Sequence, residues 1–238
     1  MKKKYQKKIA VIIPSYKEIE NIPILVKRIL TAFPKTKIII VDDSPTKENL
    51  LLQRFSQKYK DIVQVYSRLK KDGRGSAVIV GFKEALKDKT IDLFFEMDAD
   101  LAHNPEEITY FIKKRGEADL IIGSRYLSES KITEWPLRRL LISKTINIFL
   151  RIWLGLNLSD YTNGFRMYNR KSLEFLCRIT LKEKGFIALS EIAYKLKKAG
   201  FKITEIPISF TDRKYGKSNA GIKEHINSLI GVMRIPFS

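Results

Sequence analysis

An α/β fold with a mostly parallel central sheet follows from three features of the sequence. Short apolar, β-branched runs alternate with segments of helical spacing. The runs are apolar throughout rather than on alternate positions, as strands buried on both faces are. The residues that end them are unusually polar, as the carboxyl ends of strands are where an α/β sheet binds its ligand. Such strands joined by right-handed helical crossovers make an α/β sandwich, expected here through about residue 126.

The elements can be read in order. "KKIAVIIPSY" is the first strand; the basic "MKKKYQKK" before it resembles a targeting segment, but "IAVII" is broken at Pro14 and is shorter than a signal-peptide core. "NIPILVKRILTAF" has helical spacing, "TKIIIVDDS" is the second strand, "ENLLLQRFSQKY" the next helix and "DIVQVYSR" the third strand. A helical run follows "KKDGRG", then come the strands "IDLFFEMDAD" and "ADLIIGSRY". The polar "LSESKITEWP", Leu127 to Pro136, reads as a mobile connector of a length suited to a lid or hinge. Beyond it, "WPLRRLLISKTINIFLRIWLGLNL", Trp135 to Leu158, is apolar around most of a helical wheel, with Arg138, Arg139, Lys144 and Arg151 breaking it up. It falls short of the ~20 uncharged residues that span a bilayer. An interfacial helix with snorkelling basic ends fits, and so does a core helix. At the C-terminus Ile222, Ile226, Leu229, Ile230 and Met233 recur at helical spacing with Lys223, Glu224 and Asn227 opposite, as in a second amphipathic helix.

With 238 residues and 44% apolar content the chain can bury one sizeable core, and a single domain is expected. The lone cysteine, Cys177, suits a reducing compartment and a small buried role in "LEFLCRI". Forty-five Lys and Arg against 26 Asp and Glu give a formal charge of +19, which favours polyanions, whether nucleic acid, anionic lipid or phosphorylated substrates, without choosing among them. An RNA-binding domain would interleave exposed aromatics with the lysines, whereas the aromatics here sit in apolar runs. "GKSNAG" lacks the spacing of GxSxG, His103 and His225 belong to no HExxH, and GxxxxGK[ST] is absent.

The strand ends carry the chemistry. Pro14, Ser15, Tyr16 and Glu18 follow the first strand, Asp42, Asp43 and Ser44 the second, Asp98 and Asp100 the fourth, Ser124 and Arg125 the fifth. In an extended segment Asp98 and Asp100 share a face, and a divalent cation is expected to offset their repulsion, with Glu96 too deep to join them. Hard carboxylate oxygens suit Mg²⁺ or Mn²⁺, whose shell substrate phosphates complete. Asp43 can accept hydrogen bonds from a base or ribose, and Tyr16 can stack on a base; Glu18 can do likewise or serve as an acid at a helix N-terminus. Gly73 and Gly75 permit close backbone approach to a diphosphate or simply a tight turn, while His103 is expected to support the acidic loop.

Together these residues resemble the family 2 glycosyltransferases, and within them the dolichyl- and polyprenyl-phosphate mannose synthases. The likeness runs in order through "IIPSYKEIENI", "IIIVDDSP", "GRGSAVIVGF", "MDADLAHNP", "IIGSRYL", "SDYTNGFRMYNR" and "EIPISFTDRKYGKS". It implies the GT-A three-layer sandwich of nucleotide-diphospho-sugar transferases with added membrane-associating amphipathic helices. Residues 1–126 would form the nucleotide-sugar half, 127–221 the acceptor half and 222–238 a C-terminal amphipathic helix. It also implies a nucleotide-sugar site of Pro14, Tyr16, Glu18, Val41 and Asp43, with Asp98, Ala99 and Asp100 around a Mg²⁺ or Mn²⁺ ion and the diphosphate. Arg125, Arg213 and Lys217 would hold phosphate, and Arg125, Arg139 and Ser143 would meet the lipid phosphate acceptor. Two positions depart from the family: Asn219 stands where Lys often follows the Ser of "DRxYGxS", and Leu189 stands where Gln often helps complete the metal shell two residues before the acid matching Glu191.

The implied reaction is inverting transfer of a hexose, mannose from GDP-mannose, to dolichyl or polyprenyl phosphate at the cytoplasmic face of a membrane, with a membrane-anchoring partner subunit as an open question. UDP-glucose as donor remains an alternative, as does a non-catalytic nucleotide-sugar or nucleic-acid binding domain. No "QxxRW" occurs, which argues against a processive synthase.

Overall fold

The computed structural model describes residues 8–68, 70–212 and 231–237. Nine strands are described: β1 Lys8–Ser15, β2 Lys37–Asp42, β3 Val63–Ser67, β4 Ile91–Glu96, β5 Leu120–Ser124, β6 Lys131–Thr133, β7 Arg166–Asn169, β8 Ile203–Pro207 and β9 Ser209–Thr211. The helices are α1 Asn21–Ala32, α2 Thr46–Gln57, α3 Arg74–Leu86, α4 Ile108–Lys114, α5 Leu137–Leu154, α6 Arg170–Arg178 and α7 Ala188–Lys198. All five strands read from the sequence are present, and the first four are parallel neighbours in the order β3-β2-β1-β4.

The seven-stranded sheet continues with β7, β5 and β8. β7 runs antiparallel to both β4 and β5, so β5 regains the direction of β4. The ends of β1, β2, β4 and β5 therefore meet at one rim, as the polar strand ends require. Strand order reverses between β2-β1 and β1-β4, the switch point beside which open α/β sheets bind ligands.

Two apolar layers flank the sheet, giving the expected three-layer sandwich. On one face Leu25, Val26 and Ile29 of α1, Leu52 of α2 and Phe111 of α4 pack on Val11, Ile13, Ile38 and Ile40. On the other, Val78, Phe82 and Ala85 of α3, Leu173 and Leu176 of α6 and Ile192 and Leu196 of α7 pack on Ala10, Ile12, Ile39 and Phe94. Helix starts and stops follow local chemistry. Asn169 caps α6, its side chain accepting from the Ser172 N–H at 2.9 Å, and α5 ends at Gly155, whose φ of 65° reverses the chain.

The stretch expected as a mobile connector differs: Lys131–Thr133 forms β6 and pairs in parallel with β9. Its alternating polar side chains hid a strand whose outer face is solvated. Of the C-terminal amphipathic helix, only residues 231–237 are described, and they include Val232 and Ile235 packed in the core. The remainder lies outside the described residues.

Candidate active site

The acidic loop follows β4, and the strand ends at Glu96, before the two aspartates. Residues 99–101 bend, with Leu101 at φ 65°, so Asp98 and Asp100 do not alternate along an extended strand as expected. Arg74, at the first position of α3, answers the acids instead. Its Nη1 donates to Glu96 Oε1 at 2.5 Å, and its Nε and Nη2 donate to Asp98 Oδ1 at 2.8 and 2.6 Å. Glu96 is fully buried and takes a further bond from the Tyr168 hydroxyl at 2.8 Å. Burial disfavours the charge on Asp98, yet the groups around it, Arg74 foremost and Arg125 farther off, together hold this carboxyl below its ordinary value. Arg74 is raised for the reciprocal reason, its two carboxylates overcoming its own burial. An arginine therefore offsets the repulsion that the sequence assigned to a cation alone.

The loop is fixed from behind. The Asp98 N–H donates to His103 Nδ1 at 3.3 Å, so the His103 proton belongs on Nε2, which lies 2.8 Å from Asn163 Oδ1. Asn163 in turn donates to the Gly123 carbonyl, and His103 stacks on Phe165. His103 thus supports the acidic loop as expected. Gly164 completes the fit, because a Cβ there would collide with Arg74 Nη2 and press on both Asp98 oxygens.

At the end of β2, Asp42 is fully buried under Ser15, Ser44 and Asn49, while Asp43 receives Arg68 Nε and Nη2, each at 2.5 Å. Asp43 therefore reaches the rim already paired. Pro14 and Tyr16 are half-buried beside it, with the Lys71 ammonium 4.7 Å from the Tyr16 ring centroid. Glu18 stands before α1; its side chain accepts from Asn21 Nδ2 and its carbonyl from the Asn21 and Ile22 N–H groups, the helix-start role. The side chains of Val41 and Ala99 are buried in the two cores, which leaves their backbone for any ligand contact. Gly73 and Gly75 approach the chain's own backbone: the Gly75 N–H donates to the Lys184 carbonyl at 2.7 Å, and a Cβ on either would strike the 184–188 segment. The expected approach to a diphosphate is thus taken by residues 184–185, which cover the start of α3.

Arg125, after β5, is buried on Asp160, with Nε at 2.7 Å and Nη2 at 2.8 Å; Nη2 also meets Thr162 Oγ1 at 2.7 Å. Trp135 and Phe210 pack over its guanidinium. Arg139 lies on α5 over the Trp135 ring, 4.3 Å from its centroid, and donates to Asp212 at 2.6 Å. Ser143, one turn on, receives the Tyr126 hydroxyl at 2.5 Å. The Arg125, Arg139 and Ser143 environments are therefore contiguous through Tyr126 and Trp135. A cavity of about 230 Å³ opens alongside, lined by Tyr126, Lys144, Asn147, Arg151 and Ser159 among others. The outer face of α5 is apolar and exposed, with Leu137 at 70%, Leu141 at 56% and Ile152 at 77%; only Asn147, Leu150 and Leu154 are buried. The core-helix alternative thus holds only for that narrow inner stripe. No helix among the described residues is long and apolar enough to cross a membrane.

Asp98 and Asp100 suit a hard divalent ion in kind, and Mg²⁺ commonly uses one or two protein carboxylates. The Asp98 side chain keeps 27% exposure, and Arg74 contacts only its Oδ1. Among the described residues no group of three or more His, Cys, Asp and Glu gathers as a metal site. Leu189 is a core residue, and Glu191 accepts the N–H groups of Lys182 and Glu183 at 2.9 and 2.8 Å. A cation would therefore depend on substrate oxygens for much of its shell. Arg213, Lys217 and Asn219 lie outside the described residues.

Sequence reasoning missed Arg74, Arg68 and Asp160. Arg74 was signalled by its place between two glycines at a helix start, where a long side chain can reach back over the rim. Asp160 sat within the quoted "SDYTNGFR" without a role.

A family model for "Glycosyl transferase family 2" matches residues 10–176. A polyprenol monophosphomannose synthase from Mycolicibacterium smegmatis is 38% identical over 87% of this chain and 79% of its own. An undecaprenyl-phosphate mannosyltransferase from Micrococcus luteus is 34% identical over 89% and 86% respectively. Among solved structures, a mannosyltransferase from Pyrobaculum calidifontis in complex with GDP-Man and Mn²⁺ superposes with a TM-score of 0.64 over 96% of this chain and 64% of that one, at 14% identity. That likeness is one of fold.

Proposed function

The chain belongs to glycosyl transferase family 2, and from that membership we propose that it transfers mannose from GDP-mannose to a polyprenyl phosphate, with inversion, at a membrane surface. The names of the two relatives support the reaction, since each is a polyprenyl-phosphate mannosyl enzyme. The observation that carries it in this chain is a juxtaposition. The carboxylate loop of Asp98 and Asp100 shares a rim with Arg125, and Tyr126 next to it is hydrogen-bonded to a helix whose outer face is apolar and exposed. A water-soluble donor and a lipid-borne acceptor need such neighbouring surfaces. Attachment is proposed to be peripheral, at a cytoplasmic face, through the exposed apolar side of α5.

A phosphate monoester is already ionised at neutral pH, so its oxygen needs little help from a general base. That oxygen bonds to the anomeric carbon from the face opposite the diphosphate, and the carbon's bond to the diphosphate oxygen breaks, its electron pair leaving with GDP. Residues of this chain align the two reactants. Tyr16 and Asp43 meet the nucleoside; Pro14, Glu18 and the Val41 backbone shape its pocket. Arg139, Ser143 and the basic pair Lys144 and Arg151 receive the acceptor phosphate. Asp98 and Asp100, with the Ala99 backbone between them, would hold Mg²⁺ or Mn²⁺, which supplies positive charge to the departing diphosphate. Arg213 and Lys217 are proposed to add to that charge from outside the described residues. Arg125, locked on Asp160, acts through its field and by positioning the following Tyr126.

The test presents GDP- and UDP-sugars with Mg²⁺ or Mn²⁺ and a short polyprenyl phosphate, scoring glycolipid formation. Mannolipid from GDP-mannose is expected. Transfer from UDP-glucose in preference, or nucleotide binding without release of GDP on adding acceptor, overturns the assignment.

A further inference from the structure

Arg74 is a charged side chain tightly built into the rim. Only 8% of its side chain is exposed, and three of its N–H groups reach two carboxylates. Its position is set by the fold. The first turn of α3 is tied to the Lys184 carbonyl, and the missing Cβ of Gly164 leaves the space its Nη2 occupies. Glu96 provides an anchor independent of Asp98, being fully buried and bonded to Tyr168.

A guanidinium and a divalent ion cannot both draw fully on one carboxylate: with Arg74 on Oδ1, an ion on Oδ2 shares the same negative charge and the two cations repel each other. We propose that Arg74 is an internal counter-cation for Asp98 with which a divalent ion must compete, so that metal binds well only together with a nucleotide diphosphate. This rests on the reading of Asp98 and Asp100 as metal ligands. Arg74 need not leave the site when Asp98 is released, because Glu96 retains it. The diphosphate brings negative charge that both cations share, which relieves their mutual repulsion. Metal and nucleotide therefore enhance each other's binding, and by linkage they do so by the same factor. The device also places one positive charge between two neighbouring acids when the substrate is absent, which reduces their repulsion.

The experiment measures Mn²⁺ binding directly, by electron paramagnetic resonance of the free ion, with and without GDP. The proteins are the full chain, Arg74→Lys, Asp98→Asn and the double variant Arg74→Gln with Glu96→Gln. The double variant removes the buried carboxylate charge together with its cation, which guards against a fold lost to an unpaired Glu96. For the unsubstituted chain, GDP is expected to tighten Mn²⁺ binding about tenfold or more; the double variant binds Mn²⁺ alone about tenfold more tightly, and GDP then adds little. Arg74→Lys should retain most of the GDP dependence. If the double variant and the unsubstituted chain bind Mn²⁺ alike while Asp98→Asn abolishes binding, the role of Arg74 is overturned and the metal assignment stands. If Mn²⁺ binds none of these proteins even with GDP, or binds Asp98→Asn undiminished, the metal assignment itself fails and the proposal with it.

Discussion

Asp160 holds Arg125 by three bonds: it accepts the backbone N–H of Arg125 at 3.1 Å, Nε at 2.7 Å and Nη2 at 2.8 Å. Asp160 is itself fully buried and also accepts the N–H groups of Thr162 and Asn163. One carboxylate thus joins the end of β5 to the turn that leads into β7, and that turn carries Asn163 and Gly164 to the acidic loop.

Asp160→Ala should accordingly destabilise the fold by about 3–5 kcal/mol, because it strands a buried guanidinium and several N–H groups. Equilibrium denaturation in urea measures this as a lower midpoint. Asp160→Asn, which keeps an acceptor oxygen, should cost less. Equal stability of the alanine variant and the unsubstituted chain would show that Arg125 finds another partner.

Asp43 is paired with Arg68 through both oxygens, so its orientation at the nucleoside end of the rim is set before any ligand arrives. Asp43→Asn disrupts that pair and weakens the acceptor offered to the nucleoside. Hydrogen bonds to charged groups are worth about 1.5–3 kcal/mol, so the GDP dissociation constant should rise about tenfold to a hundredfold. Calorimetric titration with GDP is the measurement, and an unchanged constant would place the nucleoside elsewhere.

Glu107 gives a pH dependence away from the chemistry. It is buried before α4; Oε1 accepts the Ser209 N–H at 2.9 Å, while Oε2 has no hydrogen-bond partner among the described residues. Burial pushes its carboxyl above the ordinary 4.5, against the pull of the Ser209 bond. A raised acid holds its proton longer in the folded chain than in the unfolded one. Its contribution to stability therefore falls as pH rises from the ordinary value through the raised one. Glu107→Gln lacks that loss and should be more stable by on the order of 1 kcal/mol at pH 8, with the advantage shrinking toward pH 4. Thermal unfolding at the two pH values checks the sign; a stabilisation equal at both would exclude titration as its cause.

The legible part of this molecule was the part governed by periodicity. β1, β2, β4 and β5 could be read because strands buried on both faces are apolar throughout, and their polar ends located the rim; β3, at the sheet edge with only Val63 buried, was read from its valines and its place in the strand–helix alternation. β6 escaped because a short, half-solvated strand lacks that signature. The acids were visible as a row of like charges, but the arginine that answers them lies 22 and 24 residues away in sequence. Only the packing of α3 beside β4 brings it there. Likewise Asp43 could be marked as a ligand group, while its pairing with Arg68, 25 residues on, could not. Charge complementarity across a rim is a property of the sheet order, and single strands do not state it.

The outer face of α5 yields the last prediction. Leu137, Leu141, Ile148 and Ile152 project from a helix whose opposite side is anchored by Leu150 and Leu154, so charge placed on the outer side should leave the core intact. Burying one such side chain among lipid tails contributes about 1.5–3 kcal/mol, or roughly tenfold or more in partition. Leu141→Glu with Ile152→Glu should therefore reduce co-sedimentation with anionic vesicles about a hundredfold or more, while GDP binding and thermal stability are retained. Transfer to a short, water-dispersed polyprenyl phosphate should fall far less than transfer to acceptor held in vesicles, since only the second needs the helix to find a membrane. If the double variant and the unsubstituted chain sediment alike, the basic residues alone account for membrane attraction, and raising the salt should then release both proteins together.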